Sequence, residues 1–242
     1  DELFDFANKA FAANEEDTRK IKFMYRHSDI DYRYSVLPDF GTNMNARKFF
    51  PKTEDLEPFP DVECRMKLYN EHAAALSIEA IKKCIDQKIN KNEITHLITV
   101  SCTGISAPGL DLQIMQQMEL PKHLIRTSVN FMGCYAAVHA LKLANAFCKS
   151  TPNANVLVVC TELCTIHFQK TNSVDNITAS LLFGDGCAAV LLQNQSAAEK
   201  GIVLKSFFSD VSFKGSNEMA WEISSKGFLM TLTGYVPALI KE

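Results

Sequence analysis

Cys134 is the residue whose type and setting in this sequence are best suited to covalent chemistry. It lies within residues 130–137, NFMGCYAA, between a strand-like run over residues 124–131 and a glycine-free helical run over residues 135–148. The thiol is therefore predicted at the N-terminal end of a helix, where unpaired amides and the helix dipole favour an anion. Such a position lowers the pKa of a thiol and makes it a better nucleophile. The pattern predicts a covalent catalyst that carries an acyl group.

A nucleophilic cysteine needs a base, and none of the 6 histidines stands out in that role. His139 follows on the same helix, about 140° round from Cys134, so its side chain is expected to point elsewhere. His167 follows a buried strand, where the sequence favours a satisfied core or rim histidine. The other histidines lie in charged or strand-edge segments that indicate the surface: His27, His72, His96 and His123. The local sequence leaves two alternatives open for Cys134, a nucleophile or a buried core thiol.

A metal site is not predicted. Cys160, Cys164 and His167 form the pattern C-x3-C-x2-H, which is not a common structural zinc spacing, and no second ligand pair follows it. Core thiols are the expected role of these cysteines. The 8 cysteines are scattered through apolar runs, which indicates free thiols in a reducing cytoplasm rather than a disulfide framework.

The composition of the 242 residues excludes several classes of function. Apolar residues make up 47% and charged residues 22%, which is typical of a well-packed globular chain. The net charge is −3 and no basic block stands out, so a nucleic-acid groove or a polybasic membrane patch is not expected. No apolar run approaches the roughly 20 residues that cross a bilayer, so no membrane span is predicted.

The elements that must position Cys134 are alternating helices and strands. The strand patterns are almost wholly apolar, as in sheets covered on both faces, and the sequence therefore predicts an α/β fold. An irregular, proline-rich segment over residues 32–60 is expected to cover it. Helical patterns cover residues 1–26, 62–89, 110–118, 135–148 and 174–182, and strand patterns cover residues 95–101, 124–131, 155–160, 187–192, 201–210 and 226–232, with a last helix from about residue 236.

Five motifs in a fixed order resemble those of the chalcone synthase superfamily, the type III polyketide synthases. The resemblance is clearest from Thr95 onward and rests on CTGISAPG at 102–109, GCYAA at 133–137, VLVVCTEL at 156–163, LFGDGCAA at 182–189, and GFLMTL through VPALI at 227–240. It implies a thiolase-like fold with a complete first half, residues 1–198, which carries the cysteine. Residues 199–242 would begin an incomplete, truncated second half.

Carried over by position, the resemblance implies roles for individual residues. Cys134 would be the acyl-accepting nucleophile, and Phe183, with Gly184 beside it, would gate the substrate pocket. The other substrate-binding positions implied by the resemblance are Cys102, Thr103, Cys164, His167, Ala179, Phe228 and Met230. The plant enzymes usually have a second gating phenylalanine at the position of Met230, and threonines at the positions of Cys102 and Cys164.

The reaction implied is an acyl transfer followed by carbon–carbon bond formation. A starter acyl-CoA would load Cys134, and malonyl-CoA would condense onto the thioester with loss of carbon dioxide, repeatedly, before cyclisation. The resemblance implies a homodimer and no metal or redox cofactor, because CoA thioesters are the substrates. The catalytic His and Asn of the family lie in its second half, and no motif in these 242 residues matches them.

Two alternatives remain open. A ketoacyl-carrier-protein synthase that initiates fatty-acid synthesis shares the fold and the cysteine, but it would use a carrier protein and condense once. A basic docking face would favour that enzyme, and the sequence shows none. A non-catalytic, truncated subunit of the same fold is favoured by the missing base.

Overall fold

A computed structural model describes residues 2–194 and 201–240, without the side chains of residues 239 and 240. The chain divides into two compact units that are each discontinuous in sequence. Unit 1 contains residues 1–68, 163–185 and 211–242, and unit 2 contains residues 69–162 and 186–210. The sequence analysis divided the chain differently, into a first half that ends at residue 198 and a second half that begins at residue 199. That boundary stays a prediction.

Helices and strands alternate through the middle of the chain, as the sequence predicts. The helices are α1 (Glu2–Phe11), α2 (Glu15–Arg26), α3 (Val62–Ile85), α4 (Leu110–Met118), α5 (Ala136–Ser150), α6 (Val174–Leu182) and α7 (Val236–Ile240). The strands are β1 (His96–Ser101), β2 (Ile125–Asn130), β3 (Asn155–Leu163), β4 (Asp185–Gln193), β5 (Met219–Ser224) and β6 (Gly227–Leu232).

Unit 2 is built on a sheet with the strand order β2-β1-β3-β4. Strand β1 is buried along its whole length and pairs in parallel with β2 and β3, starting from His96 opposite Ile125 and Val156. Helix α5 packs on this sheet through its small side chains Ala136, Ala140 and Ala144, which are fully buried. Alanines at this spacing lie on one helix face and let the helix axis approach the sheet closely. The start of α5 is thereby fixed near the ends of β1 and β2.

Unit 1 is held together by aromatic side chains and by the hairpin β5–β6. Phe6, Phe40, Phe50 and Phe168 form a cluster with ring centroids 4.8 to 5.9 Å apart. Offset and edge-to-face rings at such distances add to the stabilisation by burial. The antiparallel hairpin pairs Trp221 with Met230 and Ile223 with Phe228.

Arg65 ties this hairpin to the rest of unit 1. Its fully buried guanidinium donates to the carbonyls of Lys226 at 2.8 Å and Pro60 at 2.9 Å, and also to that of Ile166. Burial lowers the pKa of Arg65 to about 10. Three backbone segments are thus joined through one side chain, next to His167 and Phe228.

Some predicted elements differ from the structure. The helical pattern over residues 1–26 is broken before Asn14, whose side chain accepts from the amides of Glu16 and Asp17 and caps α2. The strand predicted over residues 201–210 is wrong, because these residues form no ladder and leave side chains such as Ile202 and Phe208 exposed. Strand β5 was not predicted. None of the helices in the described residues is long and apolar enough to cross a membrane.

Candidate active site

Cys134 lies in the tight turn that joins β2 to α5. Gly133 has a φ of +70°, a backbone conformation that glycine adopts without strain, and Phe131 before it has a φ of +55°. The amide of Ala136 donates to the carbonyl of Gly133 at 3.0 Å and closes the turn, so α5 begins two residues after the cysteine. The side chain of Cys134 is exposed, in contrast to Cys148, which is buried. In the described chain Cys134 is therefore not a core thiol.

The backbone around Cys134 leaves donors available. Within the described residues, the amides of Cys134 and Tyr135 donate to no other backbone group. Amides at the start of a helix point along its axis, where they can stabilise a developing oxyanion. The activation of Cys134 by the helix start stays a prediction.

A half-buried carboxylate lies beside this turn, at the carboxyl end of the central strands of unit 2. Glu162, near the end of β3, accepts from the amide of Cys102 at 2.9 and 3.0 Å and from the hydroxyl of Thr103 at 2.7 Å. Burial raises the pKa of Glu162, and the hydrogen bonds from Thr103 and Cys102 partly oppose the shift. The Cys102 thiol in turn lies 3.8 Å from the carbonyl oxygen of Gly133. Cys102 and Thr103 are therefore brought next to the Cys134 turn.

Cys102 differs from Cys134 in its environment. Burial, together with the charge of Glu162, raises the pKa of the Cys102 thiol, and hydrogen bonds to the backbone around Gly133 only partly oppose this. A thiol with a raised pKa stays protonated and is a poor nucleophile. Cys102 is accordingly suited to lining a site and not to carrying an acyl group.

The histidines that the sequence analysis considered lie in different environments. His139 is on α5 with its ring 6.4 Å from that of Tyr135, and no hydrogen bond joins it to Cys134 in the described chain. The prediction that His96 lies at the surface is wrong: it is buried and stacks on Phe147 at 4.6 Å. The strand-edge sequence did not reveal this, because the covering ring comes from α5, which is distant in sequence. His167 is buried, as predicted.

A cavity of about 130 Å³ opens within unit 1. It is lined by six of the residues assigned to substrate binding by resemblance: Cys164, His167, Ala179, Phe183, Phe228 and Met230. These residues come from the turn after β3, from the end of α6 and from the hairpin β5–β6. The structure thus groups them around one space, while their role in binding stays a prediction.

One wall of the cavity is made of three stacked or crossed rings. The His167 ring lies parallel to that of Phe228 at 4.3 Å, and Trp221 crosses both rings edge-on. The Nδ1 atom of His167 accepts from the amide of Phe228 at 3.2 Å, which leaves the proton on Nε2. Trp221 lies opposite Met230 across the hairpin, and both line the cavity.

The loop that carries Phe183 and Gly184 is fixed by Asp185. Its carboxylate accepts from the amide of Val36 at 2.8 Å and from the amide and hydroxyl of Thr165 at 2.8 and 2.7 Å. The Asp185 amide donates to the carbonyl of Tyr34 at 2.8 Å. A side chain at Gly184 would lie 3.2 to 3.3 Å from atoms of Arg33 and Tyr34. Residues 33–36 therefore lie directly against the predicted gating loop.

Three residues of these sites were not predicted from the sequence. Glu162 lies at the carboxyl end of the parallel strand β3, and polar side chains at such strand ends are a general signal for a site. Trp221 and Arg33 line the cavity but carry no comparable signal. They reach it only because the hairpin and the proline-rich segment fold onto α6 and the turn after β3.

The cysteines form no other obvious site. All 8 are free, and the described residues contain no group of three or more His, Cys, Asp or Glu side chains that would hold a metal ion. Cys160, from the C-x3-C-x2-H pattern, is half-buried, and burial raises the pKa of its thiol to about 11. This environment is that of an unreactive core thiol.

The sequence matches the protein family described as chalcone and stilbene synthases, N-terminal domain, over residues 7–196. The alpha-pyrone synthesis polyketide synthase-like Pks18 of Mycobacterium tuberculosis is 33% identical over 226 residues, which cover 91% of this chain and 56% of that protein. The chain thus spans about half the length of this relative.

Solved structures give the same assignment. PKS-I from the brown alga Ectocarpus siliculosus is 27% identical with a TM-score of 0.84, over 99% of this chain and 64% of the other. The C-terminal type III polyketide synthase domain of Steely1, from Dictyostelium, is 25% identical with a TM-score of 0.83, again over 99% and 64%. The predicted thiolase-like α/β fold is confirmed. The chain belongs to the chalcone and stilbene synthase family, the type III polyketide synthases, and contains the N-terminal domain of that family.

Proposed function

We propose that this chain supplies the acyl-carrying part of a type III polyketide synthase, with Cys134 as the nucleophile. The observation that carries the proposal is the exposed thiol of Cys134 in a strand-to-helix turn, in a chain that matches this family over residues 7–196. An exposed thiol can be reached by a thioester substrate.

The first step is transfer of the acyl group from CoA to the cysteine. The thiolate of Cys134 attacks the carbonyl carbon of an acyl-CoA, the carbon–sulfur bond to CoA breaks, and CoA leaves with the electron pair and takes a proton. The amides at the start of α5 would stabilise the oxyanion of the tetrahedral intermediate. Because sulfur and CoA esters carry this chemistry, the proposed function needs no metal or redox cofactor.

The second step is the extension with malonyl-CoA. Loss of carbon dioxide from malonyl-CoA leaves an enolate, whose carbon attacks the thioester carbonyl and expels the Cys134 thiolate. The product is a β-ketoacyl-CoA, which can load again, and a lengthened chain can cyclise. The family resemblance implies a His and an Asn for the decarboxylation, and it also implies that two copies of the protein form a homodimer.

The cavity of unit 1 is proposed to hold the acyl group. Its wall of rings and its half-buried Phe183 and Met230 offer apolar contact, and the residues assigned to substrate binding by resemblance cluster there. The 8 free cysteines support a reducing, cytoplasmic location. The initiating ketoacyl-carrier-protein synthase and the non-catalytic subunit remain the competing functions.

The test is acyl loading followed by intact-protein mass spectrometry. After incubation with a short acyl-CoA, the wild-type protein should gain the mass of one acyl group, and peptide mapping should locate it on Cys134. The variant Cys134→Ala should gain none. The matched control is Cys64→Ala, which removes the other exposed cysteine and should load as the wild type does.

Three results would contradict the proposal. Persistent labelling of Cys134→Ala would show that another group carries the acyl chain. Failure of the wild type to load from any acyl-CoA, while it loads from acyl-carrier protein, would favour the fatty-acid enzyme. Failure with both donors would favour the non-catalytic subunit.

A further inference from the structure

Cys102 and Cys134 lie at the same end of the sheet of unit 2. Cys102 directly follows β1, and Cys134 lies in the turn after β2. The two strands are parallel neighbours, and their last residues, Ser101 and Asn130, are paired. The amide of Phe131 donates to the carbonyl of Ser101 at 3.4 Å, so the chain turns beside the residue that precedes Cys102. The two cysteines therefore follow neighbouring strands at one edge of the sheet.

The thiol of Cys102 is directed at the turn that holds Cys134. Its Sγ atom lies 3.8 Å from the carbonyl oxygen of Gly133, the residue bonded to Cys134. That oxygen and the Cα atom of Cys134 belong to one planar peptide unit, which places the Cys102 sulfur within about 7 Å of the Cys134 Cα atom. Rotation of the two side chains and a small shift of the turn can bring the sulfurs into contact, as a disulfide requires.

The two thiols differ in access, and the turn has room to adjust. Cys134 is exposed, while Cys102 is half-buried. An oxidant in solution therefore meets the sulfur of Cys134 first. Within the described chain, no atom beyond the adjoining residues lies within 4 Å of the position that a side-chain carbon at Gly133 would take. The turn is thus not packed against other groups on that side. An accessible cysteine beside a second, less accessible one is the arrangement of a redox-sensitive pair.

We propose that Cys102 and Cys134 form a redox pair that hydrogen peroxide converts into a disulfide. The sulfur of Cys134 attacks one oxygen of the peroxide, the oxygen–oxygen bond breaks, and the departing hydroxide takes the thiol proton and leaves as water. The sulfenic acid of Cys134 is then attacked by the sulfur of Cys102, and its oxygen leaves as water with the proton of Cys102. The two thiols lose two hydrogen atoms, and one peroxide is reduced to two waters.

The second step needs only a weak nucleophile because it takes place within one molecule. The Cys102 thiol reacts poorly with a dissolved substrate, but a sulfenic acid held beside it presents a high effective concentration. The disulfide removes the free thiol of Cys134, and a dithiol restores it by exchange. That the disulfide blocks acyl loading rests on the proposed function. The formation of the disulfide does not depend on it.

The test is oxidation of the fully reduced protein with an equimolar amount of hydrogen peroxide, followed by alkylation of the remaining thiols and peptide mapping. The wild type should become two hydrogen atoms lighter, with a disulfide that joins Cys102 to Cys134 and that dithiothreitol reverses. Cys102→Ser should form no such disulfide, and its Cys134 should reach the sulfinic acid at least several-fold faster under excess peroxide. The matched control is Cys64→Ser, which removes the other exposed cysteine and should form the disulfide as the wild type does.

A second measurement needs no variant and so remains valid if Cys102→Ser does not fold. Phenylarsine oxide binds two thiols at once when they can reach one arsenic atom. It should protect both Cys102 and Cys134 of the wild type from alkylation and should leave Cys64 reactive. Protection of neither cysteine would overturn the inference. So would a disulfide from Cys134 to another cysteine or to a second copy of the chain, or equal rates of sulfinic acid formation in the wild type and Cys102→Ser.

The failure of this inference can be distinguished from failure of the proposed function, because the disulfide forms without any acyl donor. A protein that forms the disulfide but never loads an acyl group would retain the redox pair and lose the proposed reaction. A protein that loads Cys134 but forms no disulfide would have the opposite outcome. Where both hold, the oxidised protein should load no acyl group until dithiothreitol has reduced it.

Discussion

Cys134 and Cys64 are both exposed, yet their surroundings are different. The hydrogen bond between Cys64 and Asp61 raises the pKa of the Cys64 thiol, and burial and the negative charge of Asp61 act in the same direction. Cys134 instead precedes α5 and has no carboxylate bonded to it in the described chain. Because only the thiolate is nucleophilic, exposure alone would not make the two cysteines equally reactive.

We expect iodoacetamide to alkylate Cys134 at least several-fold faster than Cys64 at neutral pH. Peptide mapping over a time course measures both rates in one sample. The variant Asp61→Asn serves as the control, since removing that charge should speed alkylation of Cys64 and leave Cys134 unchanged. Faster alkylation of Cys64 than of Cys134 in the wild type would contradict the assignment of the nucleophile.

Glu162 makes the stability of the protein depend on pH in a defined direction. Its pKa is raised in the folded state, mainly by burial, above the value of about 4.3 expected in the unfolded chain. As the pH falls through the raised value, the folded state takes up a proton that the unfolded state does not yet bind. The free energy of unfolding contributed by Glu162 therefore rises on acidification within that window.

This dependence can be isolated with Glu162→Gln, which does not titrate. We expect the melting temperature of the wild type, relative to that of the variant, to increase as the pH is lowered from neutral toward the unfolded value of about 4.3. Thermal unfolding at several pH values measures the difference. A relative melting temperature that falls on acidification would mean that hydrogen bonds from Thr103 and Cys102 outweigh the effect of burial.

At the residue scale, sequence predicts types and local settings but not burial by distant segments. Gly133 and Cys134 could be placed in a turn because the strand and helix patterns end and begin there. His96 could not be recognised as buried, because its stacking partner Phe147 lies on another element. Arg33 also looked like an ordinary residue of an irregular segment, and only the cavity gives it a distinctive setting.

At the scale of elements, Asp185 decides where the loop after α6 lies. The Asp185 carboxylate accepts three hydrogen bonds, one from Val36 and two from Thr165, and thereby joins the predicted gating loop to the proline-rich segment. An asparagine would keep one oxygen but turn its NH₂ group toward a donor. Hydrogen bonds to charged groups contribute about 1.5–3 kcal/mol each, so at least one such contribution should be lost.

We expect Asp185→Asn to lower the free energy of unfolding by about 1.5–3 kcal/mol and to speed hydrogen exchange at the amides of Val36 and Thr165. Denaturant unfolding and exchange mass spectrometry measure the two effects. Asp31→Asn, which removes an exposed carboxylate immediately before that segment, should change neither. Unchanged exchange at both amides in Asp185→Asn would show that the loop is held by its other contacts.

The bounds of the elements with a strong hydrophobic periodicity were predicted accurately, and those of elements with a weak periodicity were not. The helix and strand patterns around α4, α6 and β1 agree with the structure to within a residue or two. For α3 the predicted start agrees, but the helix ends at Ile85, four residues before the end of the predicted pattern at residue 89. The apolar run at residues 201–210 has the composition of a strand, but it pairs with none of the strands in the described part of the chain, and composition alone cannot reveal that.

At the scale of the whole molecule, the sequence predicts the class of fold but not how distant segments combine. Alternating apolar strands and helices were sufficient for an α/β sheet, and the motifs were sufficient for the family. The cavity of unit 1 draws residues from positions as distant as Arg33 and Met230, which no local pattern connects. Each compact unit is assembled from separate stretches of sequence, so the contacts that define a pocket are long-range.

Acyl loading and the decarboxylation of malonyl-CoA place different demands on residues 1–242. Loading of Cys134 needs an accessible thiol and donors at the start of α5, and the described residues supply both. Decarboxylation of malonyl-CoA needs groups that stabilise an enolate, and no motif in these residues matches the family's His and Asn. We therefore expect this chain to take an acyl group from acyl-CoA but to release no carbon dioxide from carboxyl-labelled malonyl-CoA above the level given by Cys134→Ala. Release of labelled carbon dioxide by the wild type, abolished in that variant, would show that another residue of this chain supports the decarboxylation. The variants Glu162→Gln and His167→Gln would then identify which of these two side chains is required.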